Sequence, residues 1–300
     1  MPTPAARPQP LRGRVFRGSD VVRRGLLTPK QLRSSAWRRL RQDVYVDAAL
    51  EVDHRLLISA VGLVLPEGAG FTGRSAAVLW GVPEVAGPLD PVEVLLPGGQ
   101  RWHPGPGVRL HRFSGAVPFV RVGRWWCTAR VATAVGLIRQ GPEDDAVVLL
   151  DRLLSGGMVR LSDVRDAVAD LSRARGSAQA RRVAALAAEF ADSPQETRLR
   201  LVLVRAGFPA PVPQFRVFDA EGFVARVDLA YPELRIGIEY DGLWHAEHRA
   251  FVHDRRRLNR LVAAGWLVLH VTVEDLRRPE RLLARLRALR ASRLAEITAR

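Results

Sequence analysis

Apolar and polar positions alternate in two neighbouring stretches, residues 223–229 and 236–240, which predicts two β-strands. Tyr231-Pro232-Glu233 between them predicts a tight turn. In the first strand the apolar set is Phe223, Ala225, Val227 and Leu229. The strand pair also carries three carboxylates on its polar positions or at its end: Asp228, Glu239 and Asp241.

Helical spacing of apolar residues predicts helices on both sides of this strand pair. Upstream, Ser193-Pro194-Gln195-Glu196 is typical of a helix start, with Ser193 as N-cap and Pro194 in the first turn. Glu196 is then either a capping-box carboxylate or a member of an acidic site, and the two roles are compatible. Downstream, residues 249–264 predict a helix, 266–271 a strand and 277–299 an arginine-rich helix. The C-terminal pattern is α/β.

The N-terminal pattern differs. Ser19 and Thr28-Pro29 each predict the start of a short helix, and residues 37–46 predict a basic strand or hairpin. Two short helices followed by a basic hairpin fit a small winged helix-turn-helix, with Arg38, Arg39 and Arg41 as candidate DNA contacts. Such a domain either contacts DNA or serves for packing and dimerisation. Residues 51–125 predict an α+β region without a phosphate-binding or nucleophile motif.

Charge is concentrated at the two ends of the chain. The net charge is +15, and residues 1–50 carry 11 basic and 3 acidic side chains, whereas residues 251–300 carry 12 and 5. The 200 residues between them are balanced. Two basic ends favour binding of phosphate backbones at two places, with solvated helix faces as the alternative. Arg255 and Arg256, in the helix after the strand pair, are the corresponding candidates in the C-terminal part.

The three carboxylates indicate a metal site. Grouping Asp228, Glu239 and Asp241 costs like-charge repulsion unless a cation or a shared proton relieves it. Carboxylate oxygens are the ligands that suit Mg²⁺ or Mn²⁺. Zinc is not expected, because His245-Ala246-Glu247-His248 does not have the His-Glu-x-x-His pattern of a metalloprotease helix and no thiol is near.

The acids, Asp241-Gly242 with His245, Asp254-Arg255 and Ala264-Gly265-Trp266 together resemble the very-short-patch-repair-like branch of the PD-(D/E)xK nucleases. The resemblance covers about residues 191–300. It implies a restriction-endonuclease-like fold, a mixed sheet flanked by helices, and Mg²⁺-dependent or Mn²⁺-dependent cleavage of DNA. Asp228 and Glu239 match the metal-binding acids, and Glu196 matches the acid of the preceding helix. Asp241 stands at the superfamily's lysine position, where Asp241 and His245 fill the space.

The N-terminal Gly-Leu-Leu-Thr segment and the basic run ending in Val-Tyr-Val resemble the N-terminal domain of the abortive-infection type IV antitoxins. The expected organisation is therefore an antitoxin-like winged helix (1–50), an α+β middle region with a helical connector (51–190) and a nuclease-like domain (191–300). The predicted function is that of a DNA endonuclease guided by its N-terminal region. The alternative is a non-catalytic DNA-binding regulator or antitoxin, for which a homodimer and a toxin partner are both open.

Other classes are disfavoured. No apolar run approaches the roughly 18 residues of a membrane span, and residues 1–10 lack the apolar core of a secretory signal, so a cytoplasmic protein without membrane contact is expected. Cys127 is the single cysteine, which excludes an intrachain disulfide and a cysteine-based zinc site.

Overall fold

The computed structural model describes residues 7–113, 119–189, 192–241 and 248–299, with side chains from residue 256 onward in the last range. Within these ranges the chain is a mixed α/β protein with three β-sheets and eleven α-helices. It forms two compact units, residues 1–137 and 138–300. None of the described helices combines the length and the apolar character needed to cross a membrane.

The first unit begins with a small antiparallel sheet in the order β1-β3-β2. Its strands are β1 (Val15–Arg17), β2 (Trp37–Arg41) and β3 (Val44–Asp47), and α1 (Gly18–Arg23) follows β1. The basic hairpin predicted from the sequence is confirmed as β2 and β3. The second short helix is only a 3₁₀ turn at Gln31–Arg33, because the backbone becomes extended at Ser34, just before β2.

A five-stranded mixed sheet in the order β6-β5-β4-β8-β7 follows. Its strands are β4 (Gly70–Phe71), β5 (Val92–Pro97), β6 (Val108–Phe113), β7 (Phe119–Val122) and β8 (Trp125–Thr128). The helices are α2 (His54–Gly62), α3 (Gly73–Leu79) and α4 (Arg130–Ile138). Helices α2 and α3 pack against β5, so this region combines helices with a sheet.

A buried polar network connects α2, α3 and β5. The Ser75 hydroxyl lies 2.8 Å from His54 Nε2 and accepts a hydrogen bond from the Glu93 amide, also at 2.8 Å. His54 Nδ1 lies 3.1 Å from the Gly87 carbonyl, and burial lowers the pKa of His54. Ser75 has no exposed surface (0 %), so this serine–histidine contact stabilises the fold and is closed to a substrate.

The second unit starts with four helices: α5 (Glu143–Ser155), α6 (Leu161–Ala169), α7 (Ser177–Leu186) and α8 (Pro194–Arg205). A buried ion pair fastens α8 to α5. Asp151 Oδ2 accepts hydrogen bonds from Arg200 Nη2 at 2.7 Å and from Thr197 Oγ1 at 2.8 Å. Asp151 Oδ1 accepts one from the Ala188 amide at 2.9 Å. Burial raises the pKa of Asp151, and the charge of Arg200 opposes that rise.

A four-stranded mixed sheet completes the second unit, in the order β12-β11-β10-β9. Its strands are β9 (Val212–Asp219), β10 (Gly222–Tyr231), β11 (Ile236–Tyr240) and β12 (Leu267–Val271). The helices are α9 (His248–Ala263), α10 (Val273–Arg277) and α11 (Glu280–Thr298). The predicted strand–turn–strand–helix–strand–helix succession is confirmed, and α9 is the crossover between the parallel strands β11 and β12. Strand β9, which the sequence pattern missed, pairs with β10 at the sheet edge.

Both faces of this sheet are covered. One apolar cluster contains Leu199 of α8, Ile236 and Ile238 of β11 and Leu282 of α11. The other contains Val227 of β10, together with residues of α9 and β9. The alternation expected for residues 223–229 is confirmed from Ala225 to Leu229 but is wrong at Phe223 and Val224, because the pairing register shifts between Phe223 and Ala225. This β-bulge leaves Phe223 on the surface (48 % exposed) and buries its two successors.

Candidate active site

The first acidic residue, Glu196, lies at the start of α8. Ser193 caps this helix, because its hydroxyl accepts a hydrogen bond from the Glu196 amide at 3.2 Å. The Glu196 carboxylate is buried and reaches back to the amide of Asp192 at 3.1 Å. Its Oε2 also accepts a hydrogen bond from Gln214 Nε2 of β9 at 2.6 Å. Glu196 therefore has a capping function and is held toward the sheet at the same time.

Asp228 of β10 is the central group of the site. Its Oδ2 accepts a hydrogen bond from the Tyr240 amide of β11 at 2.7 Å, which holds the carboxyl between the two strands. Burial raises the pKa of Asp228 to about 6, and the negative charges of Glu196 and Glu239 add to this rise. The structure therefore brings these three predicted acids into one electrostatic neighbourhood.

Glu239 of β11 is buried (8 % exposed) and held by an arginine of α9. Arg257 donates from Nη1 to Oε1 at 2.5 Å and from Nη2 to Oε2 at 3.0 Å. This fork-shaped contact is the strong form of an arginine–carboxylate pair. The guanidinium neutralises Glu239, whereas no comparable cation binds Asp228 among the described residues.

Asp241 lies just beyond β11 and is exposed. Its amide donates to the Val271 carbonyl at 2.7 Å, and its Oδ2 lies 3.1 Å from His270 Nδ1. His270 Nδ1 is also 3.9 Å from Glu239 Oε2, since Glu239 and His270 are paired in the β11–β12 register. His270 thus links Asp241 to Glu239. His245, the fifth predicted member of the site, lies outside the described residues.

Three side chains of this site were not identified from the sequence: Gln214, Arg257 and His270. His270 stands alone as a polar residue between apolar neighbours in a predicted strand, which is a usable signal. Gln214 lies in the strand that the pattern missed, and its backbone has a positive φ of 49°. Arg257 is hidden in a run of three arginines, where the sequence favours none over the others.

The donor set suits a small divalent cation only in part. Asp228 and Glu239 offer the oxygen ligands that Mg²⁺ and Mn²⁺ bind, in a site with excess negative charge. Within the described ranges, however, no group of three or more His, Cys, Asp or Glu side chains is arranged to hold a metal ion. Residues 242–247 are outside those ranges. Two acids alone are too few for such an ion, so a cation here would need further oxygen ligands, such as water.

The predicted DNA-binding arginines of the first unit lie on β2. Arg38 and Arg39 are exposed, and Arg38 Nη2 donates to the Leu50 carbonyl at 2.6 Å. Arg41 is partly buried and donates to the Pro104 carbonyl, and burial lowers its pKa. All three arginines donate to a backbone carbonyl, Arg39 to that of Arg41 at 3.3 Å. Arg38 and Arg39 differ from Arg41 in being exposed, so they are the ones that an external phosphate can reach.

The two predicted arginines of the second unit lie on α9. Arg256 is exposed to solvent. The side chain of Arg255 lies outside the described part. DNA contact by either residue stays a prediction.

Taken together, the second unit is an α/β fold in which the buried Glu196 of α8 and Glu239 of β11 lie near the partly buried Asp228 of β10. No family model matches the chain. It is 34 % identical over 204 residues to uncharacterized proteins MT2308 and Rv2248 of Mycobacterium tuberculosis (strains CDC 1551 / Oshkosh and ATCC 25618 / H37Rv). The match covers 67 % of this chain and 75 % of each relative. The chain belongs to the same family as these two mycobacterial proteins.

One solved structure is also similar, that of the RV2827C protein from Mycobacterium tuberculosis. It has 15 % sequence identity and a TM-score of 0.40, over 69 % of this chain and 84 % of the other.

Proposed function

We propose that this protein is a divalent-metal-dependent DNA endonuclease that hydrolyses phosphodiester bonds, with its site on the second unit. The observation that carries the proposal is Asp228, whose pKa is raised to about 6 by burial and by two neighbouring acids. A strongly shifted carboxyl among further acids is typical of a functional site. The resemblance of residues 191–300 to very-short-patch-repair-like nucleases supports the same function.

Asp228 and Glu239 would hold the metal ion. A bound Mg²⁺ or Mn²⁺ supplies Lewis acidity toward a phosphoryl oxygen and lowers the pKa of bound water. The positions of the two acids are fixed by the chain itself. The Tyr240 amide orients Asp228, and the register of β11 beside β12 places Glu239 next to His270. Rigid strands rather than loops position both groups, which is what a reaction site requires.

Glu196 and Gln214 would support the two metal-binding acids. Gln214 donates to Glu196, so the Glu196 carboxylate is held in place without a cation. Its negative charge raises the pKa of Asp228 and thereby increases the benefit of a bound cation. The buried Asp151–Arg200 pair fixes the helix that carries Glu196. The role of Glu196 is to tune and position the site.

His270 and Asp241 would handle a proton. Asp241 lies at Nδ1 of His270, and a carboxylate at that atom favours the tautomer with hydrogen on Nδ1. Nε2 is then the atom that takes or gives a proton, in the manner of a general acid or base. By the resemblance, His245 would act beside them as a proton donor or a phosphate contact.

Binding of DNA would involve both units. The β2–β3 hairpin with Arg38 and Arg39 resembles the wing of an antitoxin-like winged helix, and Arg255 and Arg256 lie on α9, the helix that also carries Arg257. Arg38, Arg39 and Arg256, which are exposed, would neutralise backbone phosphates and position the strand without reading its sequence.

A specific observation favours a second candidate function, a non-catalytic DNA-binding regulator or antitoxin. Arg257 already neutralises Glu239 through two hydrogen bonds. If Arg257 keeps that position permanently, one metal ligand is lost and the acids serve only to hold α9 against the sheet. The two functions differ in whether a cation displaces Arg257 from Glu239.

The experiment that tests the enzyme proposal is cleavage of plasmid and oligonucleotide DNA by the purified protein with Mg²⁺ or Mn²⁺. We expect cleavage that EDTA abolishes and that Asp228→Asn and Glu239→Gln reduce by at least about a hundredfold, with thermal unfolding to show that both variants fold. Glu233→Gln is the matched control, because Glu233 is an exposed acid in the same hairpin. Equal residual activity in all variants would assign the cleavage to a contaminant. Binding of DNA without cleavage would favour the regulator.

A further inference from the structure

The β9–β10 hairpin exposes two aromatic side chains close to its turn. Phe218 is 58 % exposed and Phe223 is 48 % exposed. They are directly paired across the two strands, with ring centroids 5.8 Å apart and an interplanar angle of 71°. The β-bulge after Phe223 turns this ring to the surface instead of the core. Two adjacent exposed rings leave apolar faces open to a ligand.

Arg216 completes this surface. Its guanidinium lies 5.6 Å from the ring centre of Phe218 and 5.2 Å from that of Phe223. Among the described residues no carboxylate lies within ion-pair distance of Arg216, whereas its cross-strand partner Arg226 pairs with Asp192 at 2.6 Å. We name Phe218, Phe223 and Arg216 the hairpin platform. Its positive charge has no carboxylate counterion in the described part of the chain, which favours an anionic partner.

The hairpin platform is in line with the acidic site. Strand β10 leads from Phe223 through Arg226 to Asp228. Because a strand rises about 3.3 Å per residue, Phe223 and Asp228 are about 17 Å apart along it. Strand β9 makes the same connection, since Gln214, two residues from Arg216, binds Glu196. About five nucleotides of one DNA strand span this distance at about 3.4 Å per nucleotide.

The chemistry of the hairpin platform selects the partner. Exposed aromatic rings together with an arginine are the combination by which proteins hold nucleic-acid strands, through stacking on bases and attraction of phosphates. Phenylalanine and arginine are also enriched in protein–protein interfaces. A nucleic acid is favoured here because Arg216 has no carboxylate partner among the described residues and because the acidic site lies along the same strands. A nucleic-acid strand satisfies both the rings and the cation at once.

We propose that the hairpin platform binds the nucleic-acid strand beside the acidic site, with one base stacked on one of the two phenylalanine rings and against the edge of the other, and one phosphate paired with Arg216. This proposal rests on the proposed function for its choice of ligand, but it concerns binding and needs no cleavage. It assigns to β9 and β10 the task of holding the strand at a fixed distance from Asp228.

The test is equilibrium binding of a fluorescein-labelled single-stranded oligonucleotide and of its duplex, in EDTA so that no cleavage occurs. We expect Phe218→Leu/Phe223→Leu to weaken binding about tenfold or more, with an unchanged slope of log affinity against log salt. Arg216→Gln should lower that slope by about 0.7 to 0.9, the value for one phosphate contact. The paired change Phe218→Tyr/Phe223→Tyr keeps the rings and should retain affinity.

The matched control is Trp126→Leu, because Trp126 is also about half exposed and has a neighbouring arginine, Arg121, at 6.0 Å. It should bind as the wild type does. A strand containing 2-aminopurine reports stacking directly, since its fluorescence falls when the base stacks. The Phe218→Leu/Phe223→Leu variant should lose that fall, and Trp126→Leu should keep it.

The outcomes separate the two proposals. If Phe218→Leu/Phe223→Leu keeps the affinity and the 2-aminopurine quenching of the wild type, the proposal for the hairpin platform is overturned, even if the wild type cleaves DNA. Loss of affinity in that variant, with no cleavage by the wild type, would keep the platform and reject the nuclease. If the Phe218→Leu/Phe223→Leu variant binds an acidic peptide more weakly than the wild type but binds the oligonucleotide equally well, the platform has a protein partner and the proposal is also overturned.

Discussion

Arg257 of α9 donates a hydrogen bond to each carboxylate oxygen of Glu239, at 2.5 and 3.0 Å. This pair joins the crossover helix to the central strand of the sheet, where Glu239 is buried. A buried carboxylate without a cation is costly, so either Arg257 or a metal ion must stay close. If the proposed function is right, Arg257 and a metal ion compete for the same two oxygens.

The first prediction follows from this competition. Arg257→Gln removes one positive charge and frees two ligand oxygens, so we expect Mn²⁺ to bind about tenfold more tightly, measured by titration calorimetry. The control is Arg260→Gln, one turn further along the same helix, where the arginine pairs with Asp219 at 2.6 Å. Equal Mn²⁺ affinity in the wild type and the Arg257 variant would contradict competition at Glu239.

The second prediction concerns pH. The pKa of Asp228 is raised from 3.8 to about 6, so between these values the folded protein binds more protons than the unfolded chain. The free energy of unfolding therefore falls as pH rises through this window and stays lower above it. Asp228→Asn abolishes the titration and can still accept from Tyr240. It should be more stable than the wild type near neutral pH without metal, by about 1 to 2 kcal/mol because the side chain is partly solvated.

Unfolding in urea at several pH values measures this difference, which should vanish near pH 4. The control is Asp219→Asn, since the hydrogen bond from Arg260 lowers the pKa of Asp219. That variant should show no gain. A constant difference across the whole pH range would show that the effect of Asp228→Asn does not come from its charge.

The third prediction tests the basic hairpin of the first unit. Arg38→Gln/Arg39→Gln should lower the slope of log DNA affinity against log salt by about 1.8, at about 0.9 for each lost phosphate contact. Fluorescence anisotropy in EDTA over a range of salt concentrations gives the slope. Arg23→Gln is the control, because Arg23 is exposed but bound to Asp20. An unchanged slope in the double variant would remove β2 from the DNA-binding surface.

The fourth prediction addresses the buried ion pair. Arg200→Met leaves Asp151 charged and buried without its cation, so we expect a loss of about 3 to 5 kcal/mol in the free energy of unfolding. Arg200→Met/Asp151→Leu removes both charges and should recover most of that loss. Urea unfolding provides the comparison. A double variant as unstable as the single one would mean that packing, not charge, dominates here.

The local elements of the second unit were accessible from the sequence because their signals are local. Ser193 and Pro194 mark the start of α8, and the polar residues between β10 and β11 mark a turn. Strand β9 was missed because Pro213 and Gln214 interrupt its pattern. Its position at the sheet edge explains why a proline is tolerated there.

The site could be predicted only as far as residue type points to it. Asp228 and Glu239 stand out as acids among apolar strand residues. The crossover helix α9 places Arg257 beside Glu239, and the parallel register of β11 and β12 places His270 there. No local sequence pattern encodes either contact. Long-range pairing therefore decides which of several arginines and histidines belongs to the site.

The Asp151–Arg200 pair bears on where this protein can be divided. A gene fragment that begins at residue 191 would encode all four strands of the second sheet but would leave Arg200 buried without its carboxylate. Such a fragment should be insoluble on expression, whereas a fragment that begins at residue 138 should fold and be soluble. By the same argument, we expect a recombination event to preserve the fold only if it keeps α5 and α8 together.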